Sequence, residues 1–143
     1  MTNKQGNSGG KENGCCIILV IDDDAAMRSL LADELGEFGC RVVQAAHGGE
    51  ALAQLQNATP SLVVTDLNMK DGGFEFIRCL KTTIPHCPII IVTAFGDAQT
   101  RARAKEVGAG GYFDKPVRMA DLKSLVKEVC PHPCCQQIRL HWE

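Results

Sequence analysis

The sequence predicts an α/β domain: a doubly wound, five-stranded parallel sheet flanked by five helices. Three observations carry this reading. Short apolar runs without polar alternation recur along the chain, each is followed by a segment of three- and four-residue apolar spacing, and no two runs are joined by a hairpin turn. Strands joined through helices run parallel, and a strand with no polar side needs cover above and below, so helices must pack on both faces.

The first run, residues 16–21, is rich in β-branched side chains and is closed by Asp22, Asp23 and Asp24. Met27, Leu30, Leu31, Leu35 and Phe38 then make one helical stripe, which Gly39 ends. Residues 41–45 read as the second strand, 49–56 as a helix broken at Thr59-Pro60, and 61–65 as a third strand closed by Asp66. A helix over 74–82 carries Phe74, Phe76, Ile77 and Leu80, and residues 88–93 form the fourth strand. The helix over 97–107 is mostly Ala, Arg and Lys, a weak stripe followed by Gly108. Residues 110–113 are a short fifth strand. Lys115-Pro116 opens a last helix with the clearest stripe, Val117, Leu122, Leu125, Val126 and Val129, which Pro131 stops.

A chain of 143 residues with 45% hydrophobic content suits one globular domain with its own core. Fifteen basic against seventeen acidic residues leave a formal charge of -2, which argues against a domain built to grip nucleic acid or an anionic membrane. The polar, Gly-rich start has no apolar signal core, and the run after it is far short of the roughly 20 residues that span a bilayer. A cytoplasmic location follows, with reduced thiols expected for the eight cysteines. Residues 1–14 read as a disordered leader, 15–130 as the domain, and 131–143 as a tail containing Cys and Pro.

Functional groups of such sheets gather past the carboxyl ends of the strands. Those ends hold Asp22, Asp23, Asp24, Asp66, Thr93 and Lys115. Carboxylates this close repel unless a cation sits among them, and an all-oxygen set suits Mg²⁺ or Mn²⁺. The Thr93 hydroxyl and the Lys115 ammonium suit the oxygens of a phosphoryl group. A carboxylate can itself carry that group as a mixed anhydride, and Asp66, at the end of the middle strand, is the candidate. Asp23 or Asp24 also reads as the cap of the first helix. Flavin binding is disfavoured, because aspartates stand where a phosphate-cradling loop of Ser, Thr and Gly would be needed.

The ordered motifs Val20-Ile21-Asp22-Asp23, Thr65-Asp66-Leu67-Asn68-Met69, Val92-Thr93-Ala94 and Tyr112-Phe113-Asp114-Lys115-Pro116 resemble the receiver domains of bacterial two-component response regulators, including the single-domain chemotaxis type. The likeness spans residues 16–130. It implies a flavodoxin-like sheet of strand order 2-1-3-4-5. It also implies that Asp66 accepts phosphate from a sensor histidine kinase or a phosphotransfer protein. Asp23, Asp66 and the backbone carbonyl of Asn68 would ligate Mg²⁺, with Asp22 acting through bound water. Thr93 and Lys115 would hold the phosphoryl group, Tyr112 would be the aromatic switch that follows Thr93, and Lys115-Pro116 would be cis. The implied role is a signalling switch rather than an enzyme, promoting only its own phosphorylation and dephosphorylation. Its output face would be the fourth helix, fifth strand and fifth helix, turned toward a downstream protein by a monomer or a phosphorylation-dependent dimer. The alternative is a constitutive interaction module that keeps the fold without the chemistry. With twelve residues after Pro131, output is expected to pass through a partner.

Three features depart from or lie outside that pattern. Lys70 replaces the usual proline after the methionine, in a loop one residue short, which should loosen it. Phe95, two past Thr93, is bulky where the family borders the phosphoryl group. Cys15, Cys16, Cys130, Cys134 and Cys135 fall at the opposite, amino end of the sheet and form a candidate Zn²⁺ or disulfide site, with Cys40 and Cys87 at the same end. The ring of Phe95 should exclude attacking water, so Phe95→Ala is expected to lose phosphate faster than the parent. An unchanged rate of dephosphorylation counts against that role.

Overall fold

Strands and helices alternate along the chain as expected. The computed structural model describes residues 16–94 and 96–131. Its elements are β1 (Ile17–Ile21), α1 (Ala25–Gly36), β2 (Arg41–Ala45), α2 (Gly48–Gln54), β3 (Leu62–Thr65), α3 (Phe74–Thr83), β4 (Ile89–Thr93), α4 (Ala98–Glu106), β5 (Gly111–Asp114) and α5 (Met119–Val129). The five strands lie in the order β2-β1-β3-β4-β5, all pairs parallel.

Alternate residues of the central strands feed two separate cores. Ile18, Val20, Leu62, Val64, Ile90 and Val92 point to the side where Leu31, Leu35, Leu122 and Val126 of α1 and α5 pack. Leu19, Ile21, Val63, Ile89 and Ile91 point to the other, against Ala51, Phe76, Ile77, Leu80 and Ala104 of α2, α3 and α4. Two-sided cover is why these strands show no polar alternation. The edge strand β2 keeps Arg41 and Gln44 exposed.

Polar side chains cap the starts of α1, α2 and α4. Asp24 is extended and its carboxylate accepts from the N–H groups of Ala26 and Met27, Asp97 accepts from Thr100 N–H at 2.7 Å, and His47 Nδ1 accepts from Glu50 N–H at 3.3 Å. Two expectations are corrected. Leu30 is 44% exposed: one residue before Leu31, it stands about 100° around α1 from the core-facing line. The last helix begins at Met119 and not at Lys115, because Arg118 is still extended at its N-cap, and Val117 reaches the core from the preceding loop. The Lys115-Pro116 peptide is cis.

The expectation of reduced thiols is also corrected. Cys16 and Cys40 form a disulfide across the entrances of β1 and β2, with their Cα atoms 4.8 Å apart. Register is the cause, since Ile17 faces Arg41 and the two preceding residues fall side by side. Cys16 is therefore joined to Cys40 and not to the tail. Cys15, Cys134, Cys135, Phe95, the leader over 1–14 and the tail from residue 132 lie outside the described residues. By loop-closure entropy, a bond between residues 24 apart stabilises the fold by about 3 kcal/mol. A reductant, or Cys40→Ser, is expected to lower the unfolding free energy by that order in urea titrations. Coincident curves with and without reductant would refute the prediction.

Candidate functional site

The parallel sheet delivers Asp22 from the end of β1, Asp66 from the end of β3 and Lys115 from the end of β5 to one edge. Asp22 and Asp66 are only 1% and 5% exposed, whereas Asp23 is open to solvent. The ladders extend into the site: Asp22 N–H donates to Ala45 O at 3.1 Å and Asp66 N–H to Ile21 O at 3.0 Å. Ionised carboxylates this deep need partners for every oxygen. Here Asp24 N–H donates to Asp22 Oδ1 at 2.9 Å, and Asn68 N–H to Asp66 Oδ1 at 3.0 Å. Lys115 Nζ takes the two remaining oxygens, 2.9 Å from Asp22 Oδ2 and 2.8 Å from Asp66 Oδ2.

Burial alone would lower the pKa of Lys115. The hydrogen bonds that Lys115 donates to Asp66 and Asp22, together with their charges, outweigh burial and hold the ammonium above the ordinary lysine value. Its backbone is anchored as well, since Lys115 N–H donates to the carbonyl of Thr93 at 2.8 Å. Thr93 itself is fully buried.

Carboxylate oxygens of Asp22, Asp23 and Asp66 lie within 4.8 Å of one another. Three carboxylates against one ammonium leave the cluster negative, so its donor set fits a hard divalent cation with oxygen ligands. Among the described residues this is the group with metal-holding geometry. Of the five cysteines proposed for Zn²⁺, Cys16 is in the disulfide and Cys130 is buried.

Some participants were invisible to sequence reasoning. Arg28 reaches back from α1 and donates from Nη1 to the carbonyl of Asp22 at 2.7 Å; the only signal was a cation six residues past that aspartate. The loop with Lys70 is joined to the β2–α2 loop, Gly48 N–H donating to the Lys70 carbonyl at 3.0 Å. A Cβ at Gly48 would overlap the Asp71 carbonyl, so glycine lets the β2–α2 loop abut the loop after Asp66. Tyr112 is half-buried on β5, opposite Ile91, with the Arg101 guanidinium 5.6 Å from its ring centroid. Burial, then the charge of Asp114, pushes its phenol pKa up against the opposing pull of Arg101. The weak stripe of α4 corresponds to a helix that buries Ala104 alone.

Removing Lys115 would leave two buried carboxylates facing each other. Lys115→Ala is expected to cost about 2–3 kcal/mol of metal-free stability. Because the folded pKa of Lys115 is raised, its contribution is complete below the ordinary value of 10.5 and is lost as pH climbs through the higher folded value. Urea titrations from pH 7 to pH 11 check this: the gap between parent and variant should close only at the alkaline end, and a pH-independent gap would refute it.

The sequence profile of the response regulator receiver domain matches residues 18–127. Sporulation initiation phosphotransferase F of Bacillus subtilis (strain 168) is 31% identical over 106 residues, covering 73% of this chain and 86% of that protein. Phosphate regulon transcriptional regulatory protein PhoB of Klebsiella pneumoniae is 32% identical over 108 residues, covering 73% of this chain and 47% of PhoB. The chain spans less than half the length of several further relatives, from 22% to 44%. Among solved structures, a CheY-like response regulator receiver domain protein from Methanospirillum hungatei JF-1 superposes with a TM-score of 0.76 at 28% identity, over 87% of this chain and 98% of that one. The profile match runs through the strands that carry Asp22, Asp66 and Lys115, and with it the chain belongs to the response regulator receiver domain family.

Proposed function

We propose that this chain is a phosphorylation-driven switch of two-component signalling, with residues 15–130 as the working unit and Asp66 as the phosphoacceptor. The carrying observation is the Lys115 ammonium held by the buried carboxylates of Asp22 and Asp66, with the Asp23 carboxylate beside them. In the reaction, a carboxylate oxygen of Asp66 attacks the phosphorus of a phosphohistidine on a sensor kinase or phosphotransfer protein. The new O–P bond forms as the P–N bond breaks, and the imidazole leaves with the electron pair and regains a proton from water.

Asn68 N–H orients the acceptor by binding its Oδ1. Lys115 is already within 2.8 Å of the acceptor's other oxygen and is placed to pair with the incoming phosphoryl oxygens. Thr93, which fixes the Lys115 main chain through its carbonyl, presents its hydroxyl to the same group. Asp22, Asp23, Asp66 and the carbonyl of Asn68 would hold Mg²⁺, which supplies charge neutralisation between the acceptor and the phosphoryl oxygens. Tyr112 and the lightly anchored α4, with β5 and α5, make the face whose change a downstream protein reads.

Incubation with Mg²⁺ and a small acyl phosphate, followed by intact mass, tests the reading. A phosphate-sized gain is expected on the parent, and none on Asp66→Ala or in the presence of a chelator. A gain that survives Asp66→Ala refutes the acceptor assignment, and no gain on the folded parent favours a constitutive interaction module.

A further inference from the structure

One guanidinium joins the two loops that flank the phosphoryl-binding residues. Arg101, in the first turn of α4, donates from Nη2 to the Gly96 carbonyl at 3.1 Å and to Asp114 Oδ2 at 2.7 Å. Gly96 follows Thr93 by three residues and Asp114 directly precedes Lys115, so the side chain spans the β4–α4 loop and the end of β5. In the ladder Thr93 and Asp114 already face one another. The same guanidinium stands 5.6 Å from the Tyr112 ring centroid, and Asp114, two residues on, shares that face of the strand. A Cβ at Gly96 would overlap the Asp114 carboxylate, so this close approach requires the glycine.

Two facts make the arrangement reversible. The Arg101 and Asp114 side chains are 52% and 45% exposed, so water competes for the bridge and it opens at little cost. The helix it holds is otherwise fastened lightly, through buried Ala104 and the packing of Arg103 over the Phe74 ring at 4.5 Å. We propose that Arg101 is a positioning residue that clamps the loop after β4 to the end of β5 over Tyr112, holds Thr93 and Lys115 in the resting arrangement, and is released when Asp66 is phosphorylated. The inference rests on the phosphoacceptor reading of Asp66. A group that favours the resting state lowers the population competent to take phosphate, and deleting it removes that tax.

The chain has a single tyrosine, so a ¹³C-tyrosine label reports on Tyr112 alone. Without any phosphodonor, the ring correlation of Arg101→Ala and of Asp114→Asn is expected to move along the line joining the resting and phosphorylated positions of the parent. Uptake of phosphate from a small acyl phosphate by Arg101→Ala should quicken about five-fold. Arg101→Lys, which keeps the charge but not the fork, should recover part of the parent behaviour. Arg103→Ala, on the same helix but over Phe74, should leave the Tyr112 position and the uptake rate unchanged. Ring signals that leave the line or stay in place, with parental uptake, overturn the clamp. If the parent takes up no phosphate, the assignment of Asp66 falls, and the clamp is decided without donor: a displaced ring position shared by Arg101→Ala and Asp114→Asn supports it, and unrelated displacements sink it.

Discussion

Two carboxylates, 1% and 5% exposed, stand at the end of a sheet with an apolar centre because Lys115 brings its ammonium within 2.9 and 2.8 Å of them. The partners lie 93 and 49 residues from that lysine along the chain, so the bridge exists only once β1, β3 and β5 share a sheet. The burial of this acidic pair depends on it. The backbone bonds from Asp24 and Asn68 satisfy the other carboxylate oxygens, and Thr93 holds the Lys115 main chain in reach. One ammonium against three carboxylates leaves the site negative, a donor set that fits a hard divalent cation.

The two ends of the domain follow opposite physical rules. At the amino end, the Cys16–Cys40 disulfide closes the strand entrances, and burial, with the charge of Cys130 beside it, pushes the Cys87 thiol up to about 12, which keeps it protonated and inert. At the carboxyl end, charge and hydrogen bonding replace apolar packing. There Arg101, Arg28 and Gly48 tie segments together through polar contacts rather than by filling cores. The exposed bonds of Arg101 exchange readily with water, and α4 buries only Ala104, whereas every residue of the central strand β4 is buried.

Much of the fold was legible because burial leaves a pattern in one dimension. Ile89, Ile90 and Ile91 are all 0% exposed, and three adjacent apolar residues in a short run mean cover on both faces. The acidic ends of β1 and β3 and the lysine after β5 were legible for a related reason, since in a parallel sheet all carboxyl ends share one edge. Leu30 misled because a stripe read by spacing tolerates one residue of drift. The start of α5 misled because Val117 packs on the core from a loop and so mimics a helical position.

What the amino-acid sequence determined by itself was the set of elements, their parallel direction and the identity of the acidic edge, all consequences of hydrophobic period and chain direction. The tertiary structure alone decided the pairings: Cys16 with Cys40, Arg28 with the Asp22 carbonyl, Arg101 with Gly96 and Asp114, Gly48 with Lys70. These depend on strand register and on which loops come to lie side by side, and neither is written in the spacing of residues along the chain. A guanidinium on an exposed helix looks the same in sequence whether it meets water or the neighbouring loop, and only the fold brings the loop to it.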